Sequence, residues 1–446
     1  MNTKREARTE KRERRGGRLT VVSATAMVVS QVVGVGIFLT PATMMRTLGS
    51  GWTSLAMWAA MGALSTAGAL CFADLSTRFP KAGGSYVYLR EAFGPRCAFV
   101  YGWIALLVID PGITAALGIG FAQYLLATVG GSASLTPLVA AASIGVFGLL
   151  TLLGIGASAR AMRWTAAAKL AIVVILVGTA ILRVGDLGSG GAAVTTVSPS
   201  ATALSASLIA AFFAFGGWWD LGRMGEEVES PETTMPRALI GGLALVTTMY
   251  ALVSVAYMIG TSGLAPGTDE AFVLQVGASL FGATAGRLLS AMVVVAVAGS
   301  LAAVLLGSPR VYLAMARDGL FPESLARVNV SRGTVPASTF VQMLLACTLA
   351  LSGSFDEVLG YFIPCAVFFL GLSAAAVLVL PRPSPHEGVF RIPLHPVPIA
   401  LFLVMVVSVL ALVAIGQPRQ TMLGALVVVL GIPVAWLAVP RKVTAS

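Results

Sequence analysis

Long apolar stretches bounded by glycine, proline or charge recur along the chain, and most are close to the about 20 residues that an α-helix needs to cross a bilayer. Hydropathy and breaker residues predict twelve such helices, at 19–45, 52–76, 97–128, 135–156, 161–183, 201–224, 236–261, 271–306, 336–353, 356–380, 396–416 and 419–439. The pattern is that of an all-α polytopic membrane protein with no soluble domain. Residues 1–18 form a basic cytoplasmic tail, and 19–183, 201–380 and 396–440 hold helices one to five, six to ten, and eleven and twelve.

The charges then orient the predicted spans. With the N-terminus inside, all of the 29 lysines and arginines except Arg46, Arg183, Arg287 and Arg419 fall at the cytoplasmic side. Cytoplasmic loops carry such an excess, so both termini are expected to be cytoplasmic, in a cell membrane. This distribution accounts for the net charge of +10 without nucleic acid, which calls for one basic stripe with interleaved aromatics. The first apolar segment is too long for a signal peptide. Cys71, Cys97, Cys347 and Cys365 lie in or at the ends of apolar segments, in neither a disulfide framework nor a CxxC metal pattern. No cofactor and no metal ligand set is expected.

Two predicted spans carry glycines where a helix should be unbroken. Gly34-Val35-Gly36-Ile37-Phe38 lies in the first, with Pro41 beyond it, and Phe213-Ala214-Phe215-Gly216-Gly217-Trp218 lies in the sixth. Glycine in a helix interior costs about 1 kcal/mol. Irregular backbone inside a membrane persists only where protein buries it or it lines a wet cavity. Breaks five helices apart suit an inverted-repeat transporter, whose half-helix N-termini offer N–H groups to an anionic substrate group while freed carbonyls face a cation. Close helix packing is the other common use of such glycines.

These residues resemble the amino acid-polyamine-organocation superfamily, and within it the L-type amino-acid transporter family. Besides the GVGIF signature, the similarity lies in FADLSTRFPKAGGSYVYLREAFGP (72–95), FFAFGGWWDLGRMGEEVESPETTMPRAL (212–239) and SPRVYLAMARDGLFP (308–322). The resemblance implies a LeuT-like five-plus-five inverted repeat with two added C-terminal helices, unwound helices one and six, and alternating-access transport of amino acids or related molecules. It implies that the N–H groups of Val35, Gly36 and Ile37, beside Gly34, hold the substrate carboxylate, and that the carbonyls of Val32, Phe213 and Gly216 face its ammonium. Phe213 resembles the aromatic that closes the outer side, with Phe215, Gly217, Trp218 and Trp219 around it. Lys169 stands where sodium-dependent relatives bind sodium, which implies sodium independence; its plain alternative is a cation snorkelling to the surface.

The sequence also departs from the family. Val35 replaces a small residue and Trp219 a small polar one, so a smaller or reshaped pocket is expected, and large aromatic substrates are not. Asp110 stands before a mid-helix proline where several relatives carry a basic residue. A carboxylate there either favours a cationic side chain, takes up a proton, or satisfies N–H groups freed at the kink. Asp220 follows the second break. Glu226, Glu227, Arg310, Arg317 and Asp318 gather at cytoplasmic helix ends, where Glu227 and Arg310 are candidates for an inner gate.

The reading is a secondary active amino-acid permease, working as exchanger or proton symporter, with a cationic amino-acid or polyamine antiporter as the alternative. An amino-acid-permeable channel or a transport-dead sensor would be of another class. Enzymatic function finds no support: His386 and His395 share one loop and no HExxH, GxSxG or P-loop pattern occurs. The loop Val129 to Thr136 lacks the cysteine that joins eukaryotic relatives to a heavy chain, so no disulfide-linked heavy chain is expected.

Overall fold

The computed structural model describes residues 19–80, 83–153, 159–182, 200–260, 272–329, 334–382 and 389–439. Among these, helix dominates and the only β pairing is two isolated bridges. In chain order the helices are α1 (Val21–Val32), α2 (Gly36–Leu48), α3 (Gly51–Arg78), α4 (Ser85–Phe93), α5 (Pro95–Val129), α6 (Thr136–Leu152), α7 (Ala159–Leu182) and α8 (Ala201–Ala214). There follow α9 (Pro231–Gly260), α10 (Phe272–Phe281), α11 (Ala283–Gly307), α12 (Pro309–Arg317), α13 (Pro336–Ser352), α14 (Phe355–Val379), α15 (Val397–Gly416) and α16 (Pro418–Ala438). Among the described residues nine helical stretches are long and apolar enough to cross a membrane. Shorter apolar helices lie at Val21–Val32, Ala167–Thr179 and Pro336–Ser352.

Local chemistry sets many of the helix ends. Ser200 accepts from the Ala203 N–H at 3.2 Å, and Ser354 forms a reciprocal capping box with Glu357. Pro95, Pro309, Pro336 and Pro418 open their helices, where a missing N–H is harmless. Inside α5, Ala105–Ile109 widens to a π-turn just before Pro111, whose ring would otherwise meet the carbonyl four residues back.

The first and sixth predicted spans break at their glycines, as expected, and the structure corrects other boundaries. The first predicted span is two helices, and the sixth ends as α-helix at Ala214 before a 3-10 segment, Trp218–Glu227. The stretch 271–306 is not one helix: Gly282, at φ 90°, turns the chain so that α10 folds back on α11. Both flanks are apolar, so hydropathy does not reveal the turn. Gly286 permits the fold-back, because a Cβ there would lie 2.6 Å from the Leu274 carbonyl oxygen. Helices α4 and α12, outside the predicted twelve, lie against the spans.

Helices distant in sequence pair in space: α2 packs on α8, α3 on α9, α5 on α11, and α6 on α13. The two glycine-containing breaks meet at the centre of this arrangement, with α1 also against α9.

Candidate substrate site at the two helix breaks

The first break follows from its own backbone. α1 stops at Val32; Val33 leaves helical geometry at ψ 72° while its N–H still reaches the Val29 carbonyl at 2.8 Å. Gly34 N–H turns back to the Val32 carbonyl at 2.6 Å, and the Val35 carbonyl receives Phe38 and Leu39 as α2 begins. The N–H groups of Gly36 and Ile37 thus open a new helix, where they have no intrahelical acceptor and carry the positive end of its dipole.

At the second break, Gly216 N–H folds back to the Phe213 carbonyl at 3.0 Å and Gly217 takes φ 106°, a left-handed geometry that favours glycine. Gly36 makes the breaks touch: a Cβ there would lie 2.5 Å from Ala214 Cα. A Cβ on Gly217 would lie 3.0 Å from the Gln31 carbonyl oxygen.

Side chains from other helices satisfy the carbonyls these breaks release. The Lys169 ammonium, buried on α7, donates to the Ser30 carbonyl at 3.2 Å, a cation on the negative end of α1. The Tyr250 hydroxyl lies 2.9 Å from both the Val32 and the Ala214 carbonyls, sharing its one proton between the two broken ends. Pro41 leaves the Ile37 carbonyl without its helical donor, and the Tyr257 hydroxyl supplies one at 3.1 Å. Tyr124 donates to the Phe38 carbonyl at 2.5 Å. Sequence reasoning missed these tyrosines. The signal was present, since Tyr250 and Tyr257 stand seven residues apart on one helix face and a buried tyrosine hydroxyl needs a partner.

The candidate residues sort by accessibility. Gly34, Phe213, Gly216, Gly217 and Trp219 are half-buried, whereas Val32, Val35, Gly36 and Ile37 are buried. Val35 points at α5, where a Cβ on Gly120 would lie 3.0 Å from its Cγ2. Phe215 and Trp218 are packing residues here: Phe215 lies against Trp58 and Tyr250 with centroids at 6.0 and 5.1 Å, and Trp218 against Phe72 at 5.1 Å. Phe213 meets Phe355 and Phe362 of α14 edge-on, at 5.6 and 6.2 Å. The Val32 carbonyl is fully engaged, by Gly34 and Tyr250. Among the described residues no hydrogen bond reaches the Gln31 carbonyl, which lies beside Gly217.

Asp110 has partners of its own, while Gly112, two residues on, lies against Phe362, which also meets Phe213 of the second break. The Asp110 carboxylate accepts from the Tyr312 hydroxyl of α12, and its carbonyl holds Thr114, which in turn accepts from Gln342 of α13 at 2.8 Å. Gly120, which faces Val35, lies ten residues further along α5, about 15 Å at 1.5 Å per residue. The side chains of Glu227 and Arg310 lie outside the described residues. Asp318, from the same expected cluster, binds α4 instead: Arg90 Nη1 and the Tyr86 hydroxyl each donate to its Oδ2 at 2.5 Å. Burial, and then the Asp318 carboxylate, raise the Tyr86 hydroxyl above its ordinary range, so it stays a donor. Among the described residues no three His, Cys, Asp or Glu side chains cluster as a metal site.

Comparison with known proteins identifies the chain's relatives. The chain is 28% identical to the human "Cystine/glutamate transporter" over 427 residues, covering 94% of this chain and 85% of that protein. It is 28% identical to the "Serine/threonine exchanger SteT" of Bacillus subtilis over 426 residues, covering 94% and 96% of the two chains. It is 27% identical to the mouse "b(0,+)-type amino acid transporter 1" over 398 residues, covering 88% and 81%. A family model described as amino acid permease matches residues 19–438, so the broken, tyrosine-clamped helices described above are those of a transporter and not an enzyme, and the chain belongs to the amino acid permease family.

Proposed function

We propose that this permease carries small neutral amino acids across the cell membrane by alternating access, without sodium, as an exchanger or a proton symporter. The observation that carries the reading is the contact of the two breaks at Gly36 and Ala214, which sets a helix N-terminus beside released carbonyls. The substrate carboxylate takes the N–H groups of Val35, Gly36 and Ile37. Its ammonium faces the Gln31 carbonyl rather than that of Val32, which Tyr250 and Gly34 already occupy. Val35 and Trp219 narrow the space left for a side chain.

On this reading the chain forms twelve spans, both ends cytoplasmic, in two five-helix repeats with two further helices. Support comes from the three shorter apolar helices beside the nine long stretches, and from the pairing of α2 with α8, α3 with α9, α5 with α11 and α6 with α13, each joining spans five apart. Phe213 with Phe355 closes the outer side, while Ser23 and Gln31 on α1 are exposed toward the inner one. Lys169 on the Ser30 carbonyl places a fixed cation where a coupling sodium would otherwise neutralise the end of α1. The carrier acts without a disulfide-linked heavy chain. The cationic-substrate alternative needs Asp110 in the pathway, and its bond to Tyr312 speaks for a positioning role instead.

Counterflow in proteoliposomes tests the reading. Unlabelled alanine or serine inside should accelerate uptake of the labelled amino acid, the rate should saturate, and replacing sodium by choline should leave it unchanged. A pH gradient alone should drive uptake only in a symporter. A flux that does not saturate, or that requires sodium, would overturn the carrier proposed here.

A further inference from the structure

Away from the breaks, α5, α14 and α16 enclose an apolar groove of about 280 Å³ that carries positive charge at one end. Each helix contributes residues at four-residue spacing: Arg96 and Val100 from α5, Leu372 and Phe368 from α14, Trp436, Ile432 and Val428 from α16. Such spacing places one residue per turn on a single face, so the groove runs along the helix axes for two turns, about 11 Å. Phe368 is 42% and Trp436 57% exposed, which leaves the groove open laterally to whatever surrounds the spans. A Cβ on Gly431 would lie 2.8 Å from the Trp103 ring, so α16 sits close on α5 and gives the groove a floor.

The charged end has a defined geometry. The Arg96 guanidinium carbon lies 3.8 Å from the centroid of the Trp436 ring. Stacking on an aromatic face fixes the guanidinium plane while leaving its in-plane N–H donors free. Among the described residues Arg96 makes no ion pair, and no acidic residue stands in the first turn of its helix. Arg96 begins α5 and Trp436 lies near the end of α16, so both sit at one membrane face, with the apolar residues at successively greater depth.

We propose that this groove is a binding site for an anionic phospholipid of the surrounding bilayer, with an acyl chain along Phe368, Leu372, Val428 and Ile432 and the phosphate on Arg96. Charge complementarity selects this occupant. A cation with no acidic partner among the described residues, at the headgroup level above a two-turn apolar channel open to the side, matches a molecule with an anion at one end and a chain along the membrane normal. A second copy of the chain would have to present a buried carboxylate at the same depth. Trp436 is the positioning residue, holding the guanidinium edge toward the headgroup.

Native mass spectrometry of the full-length protein, equilibrated with equimolar phosphatidylglycerol and phosphatidylcholine and released from micelles, tests the site. Wild type should retain phosphatidylglycerol preferentially. Arg96→Gln should lower that preference about fivefold, the ratio that corresponds to about 1 kcal/mol for one basic residue near the surface. Arg327→Gln, an exposed loop change elsewhere, should leave it unchanged. Val428→Trp, which fills the groove, should reduce retention of both lipids. An unaltered preference in Arg96→Gln would overturn the proposal. So would equal loss in Arg327→Gln, or a retained second copy of the chain that Val428→Trp displaces. Gel filtration and melting of each variant identify any that fails to fold; Arg96→Lys, which keeps the charge and loses the stacked plane, then supplies the intermediate preference that the site requires.

Discussion

Gly34 and Gly36 stand two residues apart in one break, yet the structure assigns alanine a different fate at each. A Cβ at Gly36 meets Ala214 Cα at 2.5 Å and Ala214 N at 3.2 Å, backbone atoms that cannot swing aside as a side-chain tip does. α2 and α8 must therefore separate, and overpacking of this kind costs about 2 kcal/mol, roughly thirtyfold in any equilibrium that needs the breaks in contact. A Cβ at Gly34 finds nothing nearer than the Val32 carbonyl oxygen at 3.7 Å, so no clash opposes it, and the reduced freedom of the unfolded chain offsets any loss by less than about 1 kcal/mol. Initial counterflow rates from equal amounts of monodisperse protein read the difference. Gly36→Ala should lower the rate at least about tenfold and Gly34→Ala by less than about fivefold. Ala214→Gly should not rescue Gly36→Ala, because the closest atom is the Cα that glycine retains. Equal losses in the two variants, or rescue by Ala214→Gly, would refute the claim that backbone contact between the breaks is what Gly36 provides.

Three further predictions follow from the contacts around the site. Lys169→Ala should abolish most uptake in vesicles while the protein still reaches the membrane, and undiminished transport would remove Lys169 from the cycle. Asp110→Asn keeps an acceptor for Tyr312, so competition between lysine and alanine should be unchanged; a shifted preference would place Asp110 in the pathway. Asp318→Asn weakens the joint to Arg90 and Tyr86, but that pair is about a third exposed, so stability should fall by less than about 1 kcal/mol. Hydrogen exchange should rise in Ser85–Phe93 while the spans keep their protection.

The spans and both breaks were legible in the sequence because hydropathy and glycine act locally. A carbonyl's partners are not local. The Val32 carbonyl, expected to face the substrate ammonium, has a donor that the sequence does not show: Tyr250 lies 218 residues away on a helix where a tyrosine reads as one more apolar residue. Asp110 illustrates the same limit: a sequence shows that a carboxylate is deep in a span, but not that the Tyr312 hydroxyl, 202 residues away, donates to it. Phe215 and Trp218 looked like pocket aromatics because they flank the glycines, whereas Trp58 and Phe72 on α3 draw both rings into packing. Gly282 escaped notice because the turn it makes separates two equally apolar helices.

These donors also determine which contacts a moving break must surrender. Backbone carbonyls inside a membrane persist only while something donates to them, and here the donors come from two kinds of neighbour. Tyr250 and Tyr257 belong to α9, which packs on α1 and α3, so they can travel with the broken helices as one body. Because Tyr250 reaches both Val32 and Ala214, it also ties the two breaks to each other. Tyr124 comes from α5, which packs on α11 outside that body, whereas Lys169 comes from α7, which packs on both α11 and α9. A rocking of the breaks on the proposed cycle therefore leaves the α9 tyrosines in place, strains the bond from Tyr124, and strains that from Lys169 where α7 stays with α11. Those are the contacts whose making and breaking can favour one orientation of the carrier over the other, since only interactions that differ between two states shift their balance.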